Sequence, residues 1–543
     1  MFWGVYEKVV NEWMERISRQ SFVRRLWAKD ASLWKKGAEA EKEIRSRLGW
    51  LEAPRQAQRS LGELDSFVSE IRSDGFSHVV LLGMGGSSLA AELFRNTFGS
   101  RPGYPELVVL DSTDPGRIRD VEAQIDLAKT LFVVSSKSGG TIELITLFRY
   151  FFEKARQASG TEPGRQFSAI TDPGTALADL AAKKNFRKLF LAPEDVGGRF
   201  SALTYFGLVP AALIGVDVAK VLESALGMAQ ACSAQMDVSQ NPAAELAVGM
   251  AVLAEEGRDK LTIITSPSLD SFGDWAEQLV AESSGKDETG VVPVVGETAA
   301  ETSLYGADRF FVALLLGGEA GGETEKQLDR LAAEGHPVMV LKLEDKSDVG
   351  GEFFRWEMAT AIACALLKVN AFDQPDVQAA KDKAKALLRK VLEGEKLKAP
   401  SGLESLRAAF GSLREGDYIA LLAFVPDQPE IRRKLIALRR ELHGFTKRAV
   451  TLGFGPRYLH STGQLHKGGP DSGVFIVVTQ AATENLPIPG EKFGFGDLLL
   501  AQAMGDLEAL RARKRRVTHL ELPDLSAKSL DDFCAEAKQA AQL

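Results

Sequence analysis

The stretch LFVVSSKSGGTIELI, residues 131–145, joins an apolar segment to a helix-like segment through a loop of small residues. Leu131–Val134 has the composition of a buried strand, and hydrophobic spacing resumes at Ile142. Between them, Ser135–Thr141 supplies hydroxyls, two glycines and one lysine. Because parallel sheets bind ligands at the carboxyl ends of their strands, this loop predicts a site for a small anion.

Short apolar segments alternate with helix-length segments along most of the chain. The first series comprises HVVLLG (78–83), ELVVLD (106–111), TLFVVSS (130–136), FSAIT (167–171) and KLFLAP (188–193). A second comprises LTIITS (261–266), RFFVALLLG (309–317) and HPVMVLKLE (336–344), and a third, shorter one YIALLAFV (418–425), VFIVVTQ (474–480) and RRVTHLEL (515–522). Alternation of strand and helix requires crossover connections, so we expect parallel sheets.

These series divide the chain into four parts. Residues 1–72 carry apolar residues at helical spacing and are expected to be a helical segment. The predicted units that follow are a first α/β domain that carries the anion loop (73–225), a second α/β domain (226–395) and a C-terminal α/β unit (396–543). The fold class is therefore α/β, with two doubly wound parallel-sheet domains of three layers, α/β/α, between the helical N-terminus and the C-terminal unit.

The composition is that of an ordinary globular protein of 543 residues, 45% hydrophobic and 26% charged. The net charge of -8 disfavours nucleic acid or an anionic membrane as the main partner. We recognise neither a signal peptide nor an apolar segment long enough to span a bilayer. The three cysteines lie far apart, which predicts neither a disulfide framework nor a thiolate metal site. We expect a cytoplasmic protein.

A second glycine-rich loop, GMGGSSLA (83–90), also ends a strand and opens a helix. Unpaired backbone N–H groups at a helix start attract an anion, and hydroxyls can add donors. The candidate phosphate ligands in the two loops are Ser87, Ser136, Lys137, Ser138 and Thr141. The alternative is that the hydroxyls only cap helices and the glycines only turn the chain. Neither loop has the Walker or the dinucleotide spacing, so a monophosphate fits better than a nucleotide.

Two further segments place charged side chains near predicted strand ends. Arg199 lies in EDVGGRFSALTYFG (194–207), at the start of an apolar helix, and is either a site residue or a surface ion-pair partner. Gln278 and Glu282 lie four residues apart in DWAEQLVAESSGK (274–286), on one face of a helix. Glu282 could serve as a general base if it is buried, although glutamates at helix ends are usually solvated.

The remaining candidates lie nearer the carboxyl terminus. FDQPDVQAAK (372–381) places Gln374 in a turn and Lys381 two helical turns later, and a capped helix with a solvated lysine is the alternative. YLHSTGQLHKGGP (458–470) holds His460 and His466 in a glycine-rich loop. No acidic or cysteine ligand accompanies the histidines at helical spacing, so an acid/base or structural role is favoured over metal binding.

Together these segments resemble the glucose-6-phosphate isomerase family over roughly residues 75–480. The likeness is carried by SKSGGT, VGGRFSALTYFGLVPAAL, AESSGK and FDQPDVQAAK. WAKD and RLGWL near the amino terminus, and the pairing of AEQLVAESSGK with YLHSTGQLHKGGP, look most like the isomerase portion of bifunctional transaldolase/glucose-6-phosphate isomerases. The resemblance implies that the two doubly wound domains are of the sugar-isomerase type. A transaldolase barrel does not fit into the residues before the first strand.

The resemblance implies a role for each candidate residue. Gln278 and Gln374 would contact the hydroxyls of a sugar phosphate. Its phosphate would be held by the two loops, through Gly86, Ser87, Ser136, Lys137, Ser138 and Thr141. Glu282 would move a proton between C1 and C2, while Arg199 would stabilise the enediol(ate) intermediate. Lys381 and His460 would assist ring opening. This chemistry needs neither a metal nor a redox cofactor, and we expect none.

One departure from the family concerns the order of the motifs. In the family the histidine loop lies between the glutamate and the lysine, whereas here the order is Glu282, Lys381, His460. This order puts the assignment of His460 in question, and His466 is the alternative. Family members are usually dimers that supply the histidine across the interface. The changed order raises the hypothesis that one chain completes its own site, so both a homodimer and a monomer remain open.

Two rival functions share the same loops. One is an isomerase that acts on both glucose and mannose phosphates, or one that acts on amino-sugar phosphates. These substrates differ at one hydroxyl, and the sequence alone does not separate them. The other is a non-catalytic regulator that binds a sugar phosphate. The joint presence of Glu282, Arg199 and Lys381 favours an enzyme, because binding alone would not need them.

Overall fold

The computed structural model describes residues 1–159, 162–297, 299–319, 322–393, 403–481 and 485–542. The side chains of residues 159, 377–381 and 390–392 lie outside this description. The chain forms helices around three parallel sheets, which confirms the predicted fold class. Among the described residues, no helix combines the length and apolar composition needed to cross a bilayer.

The amino-terminal segment is helical, as predicted. Its helices are α1 (Glu7–Arg19), α2 (Phe22–Trp27), α3 (Ala38–Arg45), α4 (Ala53–Gln58) and α5 (Leu61–Ser73). The buried Trp50, between α3 and α4, lies 5.4 Å from the ring centroid of Phe200 and 5.8 Å from that of Phe354. Since those two phenylalanines belong to different α/β units, the segment packs against both.

The first sheet has the strand order β2-β1-β3-β4-β5. Its elements are β1 (His78–Leu82), α6 (Leu89–Phe98), β2 (Glu106–Leu110), α7 (Pro115–Gln124), β3 (Thr130–Ser135), α8 (Ile142–Ser159), β4 (Phe167–Thr171), α9 (Ala176–Lys183), β5 (Lys188–Leu191) and α10 (Tyr205–Leu213). β1 pairs with β3 so that Leu82 aligns with Val134. The two predicted phosphate loops therefore begin side by side at the same edge.

Both faces of this sheet are covered. Val79 and Leu81 of β1 lie in a core shared with the amino-terminal helices, whereas Val80 and Leu82 lie in a separate core with α8. Alternate side chains of a strand point to opposite faces. The apolar run of β1 is thus buried on both sides, as expected for a strand in a three-layer α/β/α arrangement.

The second sheet has the order β7-β6-β8-β9. The elements of this unit are α11 (Val218–Ala231), α12 (Pro242–Glu255), β6 (Lys260–Thr265), α13 (Asp270–Ser284), β7 (Val292–Val295), β8 (Arg309–Leu316), α14 (Gly322–Ala333), β9 (Val338–Leu343) and α15 (Val349–Leu366). Helix α15 is buried around nearly its whole circumference, and it contacts α11, α12 and α13.

The third sheet, β11-β10-β12-β13, repeats the order of the second. Its unit comprises α16 (Val377–Leu392), α17 (Leu403–Gly411), β10 (Tyr418–Phe424), α18 (Pro429–Thr446), β11 (Ala449–Phe454), α19 (Gly463–Gly468), β12 (Gly473–Gln480), α20 (Phe495–Ala512), β13 (Arg516–Leu522) and α21 (Ala527–Ala541). The prediction of a shorter third series was wrong, because the second and third sheets have equal numbers of strands. Each sheet lies within one of the three predicted α/β ranges, whose boundaries stay a proposal.

All of the predicted strands form, but β7 and β11 were missed. β7 contains Pro293, which cannot donate to a ladder and therefore argues against a strand in sequence. β11 contains Gly453 and is followed by Gly455 and Pro456, a composition typical of a loop. Both are edge strands, where such residues are tolerated because one side of the strand is unpaired.

Candidate active site

The two predicted phosphate loops form one surface at the edge of the first sheet. The Ser135 hydroxyl donates to the carbonyl of Ser87 at 2.9 Å, which joins the loops. Within the second loop, Ser136 Oγ accepts from the N–H of Gly139 at 3.1 Å and lies 3.3 Å from Thr141 Oγ1. These contacts hold a compact turn immediately before α8. Ser138 is exposed, whereas Ser87 and Ser136 are buried.

Lys137 is paired with a carboxylate. Its Nζ lies 2.5 Å from Asp172 Oδ2 and also approaches the carbonyls of Pro193 and Glu194. Partial burial lowers the pKa of Lys137, while the hydrogen bond and charge of Asp172 oppose this shift. The ammonium group therefore fixes the loop against β4 and β5, and much of its charge is already neutralised.

Glycines allow three segments to meet at the loop after β1. A Cβ on Gly86 would lie 2.2 Å from the carbonyl of Gly198, so the loop touches the backbone just before Arg199. Gly85 has a φ of +54°, and a Cβ there would lie 2.6 Å from the carbonyl of His460 and 2.9 Å from the side-chain nitrogen of Gln278. No larger residue fits either position, so these glycines bring distant motifs together.

Glu282 lies at the centre of this meeting point. Its side chain is buried near the end of α13, and its Oε2 accepts a hydrogen bond from Gln278 Nε2 at 3.0 Å. Gln278 Nε2 also donates to the carbonyl of His460 at 2.7 Å. The other carboxylate oxygen lies 3.4 Å from Arg199 Nη1. A glutamine one helical turn earlier and a buried guanidinium thus orient this carboxylate.

Arg199 is a buried charge held on several sides. Nε donates to Ser283 Oγ at 2.8 Å, and Nη2 donates to the carbonyls of Ala371 and Asp373 at 2.6 and 2.9 Å. With the Glu282 contact, the guanidinium connects α13 to the segment that carries Gln374. Because a buried guanidinium needs such partners, its position is strongly constrained.

The third unit contributes His460. Its Nε2 lies 3.0 Å from Glu143 Oε1, a buried carboxylate in the first turn of α8. Gln502 Nε2 donates to the same oxygen at 2.7 Å, and Gln502 Oε1 accepts from the Thr113 hydroxyl at 2.7 Å. Sequence reasoning missed Glu143. Its position two residues after Thr141, on the first turn of a helix at the ligand edge, was the available signal.

Several known proteins are similar to this chain over much of its length. The phosphoglucose isomerase family model matches residues 58–304. A probable glucose-6-phosphate isomerase of Haloarcula marismortui is 30% identical over 345 residues, which cover 57% of this chain and 78% of that protein. The chain belongs to the glucose-6-phosphate isomerase family. This confirms the resemblance to that family, whereas the likeness to bifunctional proteins stays a prediction.

Other members and solved structures extend the glucose-6-phosphate isomerase likeness. A probable glucose-6-phosphate isomerase of Methanococcus maripaludis is 29% identical over 62% of this chain and 83% of its own. A hypothetical protein of Thermus thermophilus superposes with a TM-score of 0.61 and 25% identity, covering 71% of this chain and 99% of that one. A glucose-6-phosphate isomerase of Chlamydia trachomatis, with a TM-score of 0.53 and 23% identity over 68% of this chain and 78% of its own, supports the fold.

The other predicted residues occupy less central positions in this family member. His466 is buried between Tyr458 and Phe475, with ring centroids 5.9 and 5.0 Å away. Burial and the charge of Lys467 hold the pKa of His466 well below its usual value, so this alternative is a neutral core residue. Gln374 is exposed directly after Asp373. The side chain of Lys381, on α16, lies outside the described residues.

Lys286 is a further buried charge that sequence reasoning missed. Its Nζ lies 2.8 Å from Asp373 Oδ1 and contacts the carbonyl of Asn370. Burial and the nearby Arg199 lower the pKa of Lys286 to about 8. Lys286 and Arg199 together fix the segment that presents Gln374. Within the described residues, no group of three or more His, Cys, Asp and Glu side chains could hold a metal ion.

Glu277, beside Gln278, carries a partly buried carboxyl whose ionisation opposes folding. Burial and the neighbouring Asp274 raise the pKa of Glu277 to about 8. When a carboxyl has a higher pKa in the folded than in the unfolded chain, its neutral form favours folding. This stability is fully present below the pKa of the unfolded chain and is lost as the pH rises through the pKa of the folded chain. We therefore expect Glu277→Gln to match the parent near pH 5 and to exceed it by about 2–3 kcal/mol near pH 8.5. Urea unfolding at both pH values measures this, with the exposed Glu256→Gln as control. A pH-independent difference would contradict it.

Proposed function

We propose that this chain interconverts glucose 6-phosphate and fructose 6-phosphate by proton transfer through a cis-enediol(ate) intermediate. The observation that carries the proposal is the buried Glu282 carboxylate, held between Arg199 and Gln278 where the loop after β1 meets the His460 loop. The relatives named as glucose-6-phosphate isomerases support the same reaction.

The proposed chemistry assigns one proton path to Glu282. Aldose–ketose isomerisation moves a proton from C2 to C1, and a single carboxylate can accept it and return it to the neighbouring carbon. Negative charge develops on the enediolate oxygens meanwhile. Arg199 is already fixed beside the carboxylate, so its charge stabilises the intermediate without reorganisation.

Binding and ring opening are assigned to the surrounding residues. The phosphate would occupy the turn formed by Ser136–Thr141 and the adjoining Gly86 and Ser87, while Gln278 and Gln374 would contact hydroxyls. His460 would transfer the proton between the C1 hydroxyl and the ring oxygen, together with Lys381. Glu143 would hold the His460 imidazole in position through the contact at 3.0 Å.

We also propose that one chain completes its own site. Glu143 of the first unit and Gln278 of the second both contact His460 of the third within a single chain. A cytoplasmic location is proposed too, supported by cysteines that are free in the structure.

The direct test is a coupled assay of the purified protein with fructose 6-phosphate, following glucose 6-phosphate through its oxidation by a dehydrogenase. We expect steady turnover, reversible from glucose 6-phosphate. Mannose 6-phosphate as a second substrate separates a dual-specificity enzyme from this proposal. Binding of fructose 6-phosphate without any turnover would instead indicate a regulator.

Replacing Glu143 tests the proposed support of His460. Glu143→Gln keeps an oxygen that accepts from Gln502 but removes the negative charge beside the His460 imidazole. We expect kcat with fructose 6-phosphate to fall about 10–100-fold while KM changes little. Glu153→Gln, a change of a partly exposed residue on the same helix, serves as the control.

A substrate that cannot cyclise separates this role from a merely structural one. Proton exchange with 5-deoxyfructose 6-phosphate bypasses ring opening, so Glu143→Gln is expected to spare it. An equal loss with both substrates would show that Glu143 acts elsewhere in the reaction.

A further inference from the structure

A cavity of about 830 Å³ lies where the three sheets meet. It is lined by residues following β2, β6 and β7 and by residues following β10 and β11. None of the described residues proposed for isomerisation lines it. Its volume falls within the range typical of sites for small organic ligands.

The position of the cavity is that of a ligand site. In open parallel sheets, ligands bind outside the carboxyl ends of the strands. The proposed active site uses the loops after β1 and β3 of the first sheet. The cavity is bordered by Thr265 at the end of β6, Asp427 beyond β10 and Gly455 after β11, so it uses the corresponding edges of the second and third sheets.

Many charges in the cavity are already paired with each other or with neighbours. Arg457 contacts Glu92 and lies 3.3 Å from Asp111, while Arg432 forms a two-bond contact with Asp427. These pairs shape the walls and leave little charge for a ligand.

Other charged groups remain available. Arg117, on the first turn of α7, has no hydrogen bond or ion pair from its guanidinium among the described residues. Arg95 donates through Nε to Asn96 and lies 4.0 Å from Glu92, which leaves guanidinium donors over. Asp270 and Asp274 project from successive turns of α13. Asp274 Oδ2 lies 3.5 Å from Arg457 Nη2, but the Asp274 side chain is still 48% accessible. Asp270 accepts only from the Thr265 hydroxyl among the described contacts.

This lining selects a class of ligand. Guanidinium groups bind phosphate with strong, charge-assisted hydrogen bonds. Carboxylates accept hydrogen bonds from hydroxyls, and the ring of Tyr305 offers apolar surface to C–H groups. A purely apolar ligand would leave the charged lining unsatisfied. A polyhydroxylated compound with one phosphate uses all three features.

We propose that this cavity is a second ligand site, for a phosphorylated polyol, with Arg117 and Arg95 binding the phosphate and Asp270 and Asp274 accepting from hydroxyls. The site is separate from the proposed active site and does not depend on the isomerase activity.

Sorbitol 6-phosphate is a suitable probe, since it has no carbonyl group and cannot be isomerised. Calorimetric titration of the full chain is expected to reveal a binding event that Arg117→Ala and Asp270→Ala each weaken at least about tenfold. Arg119→Ala removes the same charge from the same helix but does not line the cavity, so binding should be unchanged. Sorbitol 6-phosphate could also bind at the active site. A Ser136→Ala/Thr141→Ala double variant should weaken that binding event and leave the event in the cavity unchanged.

The outcomes are distinct from those that test the proposed function. Arg117→Ala is expected to keep isomerase turnover, which also shows that it folds. Unphosphorylated sorbitol should bind at least about a hundredfold more weakly if the guanidiniums recognise phosphate. Absence of any binding event sensitive to Arg117→Ala and Asp270→Ala, or equal binding of sorbitol, would overturn the proposal, whatever the isomerase assay shows.

Discussion

Glu282→Gln is expected to lower the turnover of fructose 6-phosphate by about 10³–10⁴-fold. The amide has the size of the carboxylate but cannot accept and return the proton that moves between C1 and C2. Arg199 would lose one charged contact but keep its bonds to Ser283 Oγ and to the carbonyls of Ala371 and Asp373. The site should therefore fold, and binding of the phosphate should be largely unchanged.

Two measurements check this expectation. The coupled assay gives kcat and KM, and nuclear magnetic resonance follows exchange of the C2 hydrogen of glucose 6-phosphate with deuterated solvent. Both rates should fall together, because both require the same proton transfer. Glu288→Gln changes an exposed glutamate just beyond α13 and is the matched control. Turnover within about tenfold of the parent protein would assign the base to another residue.

The sequence predicted the fold well because its signals were local. Strands such as β1 and β3 are continuous apolar runs buried on both faces, and such runs stand out from the helical segments between them. β7 and β11 escaped notice because edge strands tolerate proline and glycine. Because the strands were predicted to be parallel, both loops were expected at the same edge of the sheet. That β1 and β3 are neighbours in this sheet was visible only in the structure.

The site was harder to predict, since its key contacts join distant parts of the chain. The four-residue spacing of Gln278 and Glu282 predicted that they lie on one face of a helix. In the structure both lie on α13, and a hydrogen bond joins their side chains. By contrast, Glu143 and His460 are separated by more than half the chain and carry no pattern that links them. Lys137 had looked available for phosphate, and its pairing with Asp172 depends on the packing of β3 against β4.

The third unit raises the question of how many chains build one site. Its sheet has the same strand order as the second, and it supplies the histidine that the family resemblance assigns to a partner subunit. Here the loop after β11 reaches Gln278 and Glu143 of the same chain. If one chain completes its own site, as proposed, the third unit takes the place of the second subunit, and this would account for the changed motif order.

We therefore expect no recovery of turnover when chains with Glu282→Gln and chains with His460→Ala are expressed together. His460→Ala should lower turnover about 10²-fold by impairing ring opening, and Glu282→Gln should lower it further. If sites formed across two chains, random mixed dimers would restore an intact glutamate and histidine in about a quarter of the sites. If each chain completes its own site, co-expression restores none, because every site carries one of the changes.

Sedimentation coupled to the assay supplies the second readout, and the parent activity should sediment with the single chain. Recovery near a quarter in the co-expressed pair would show that the histidine is supplied by a partner, and activity confined to dimers would count against a chain that is active alone.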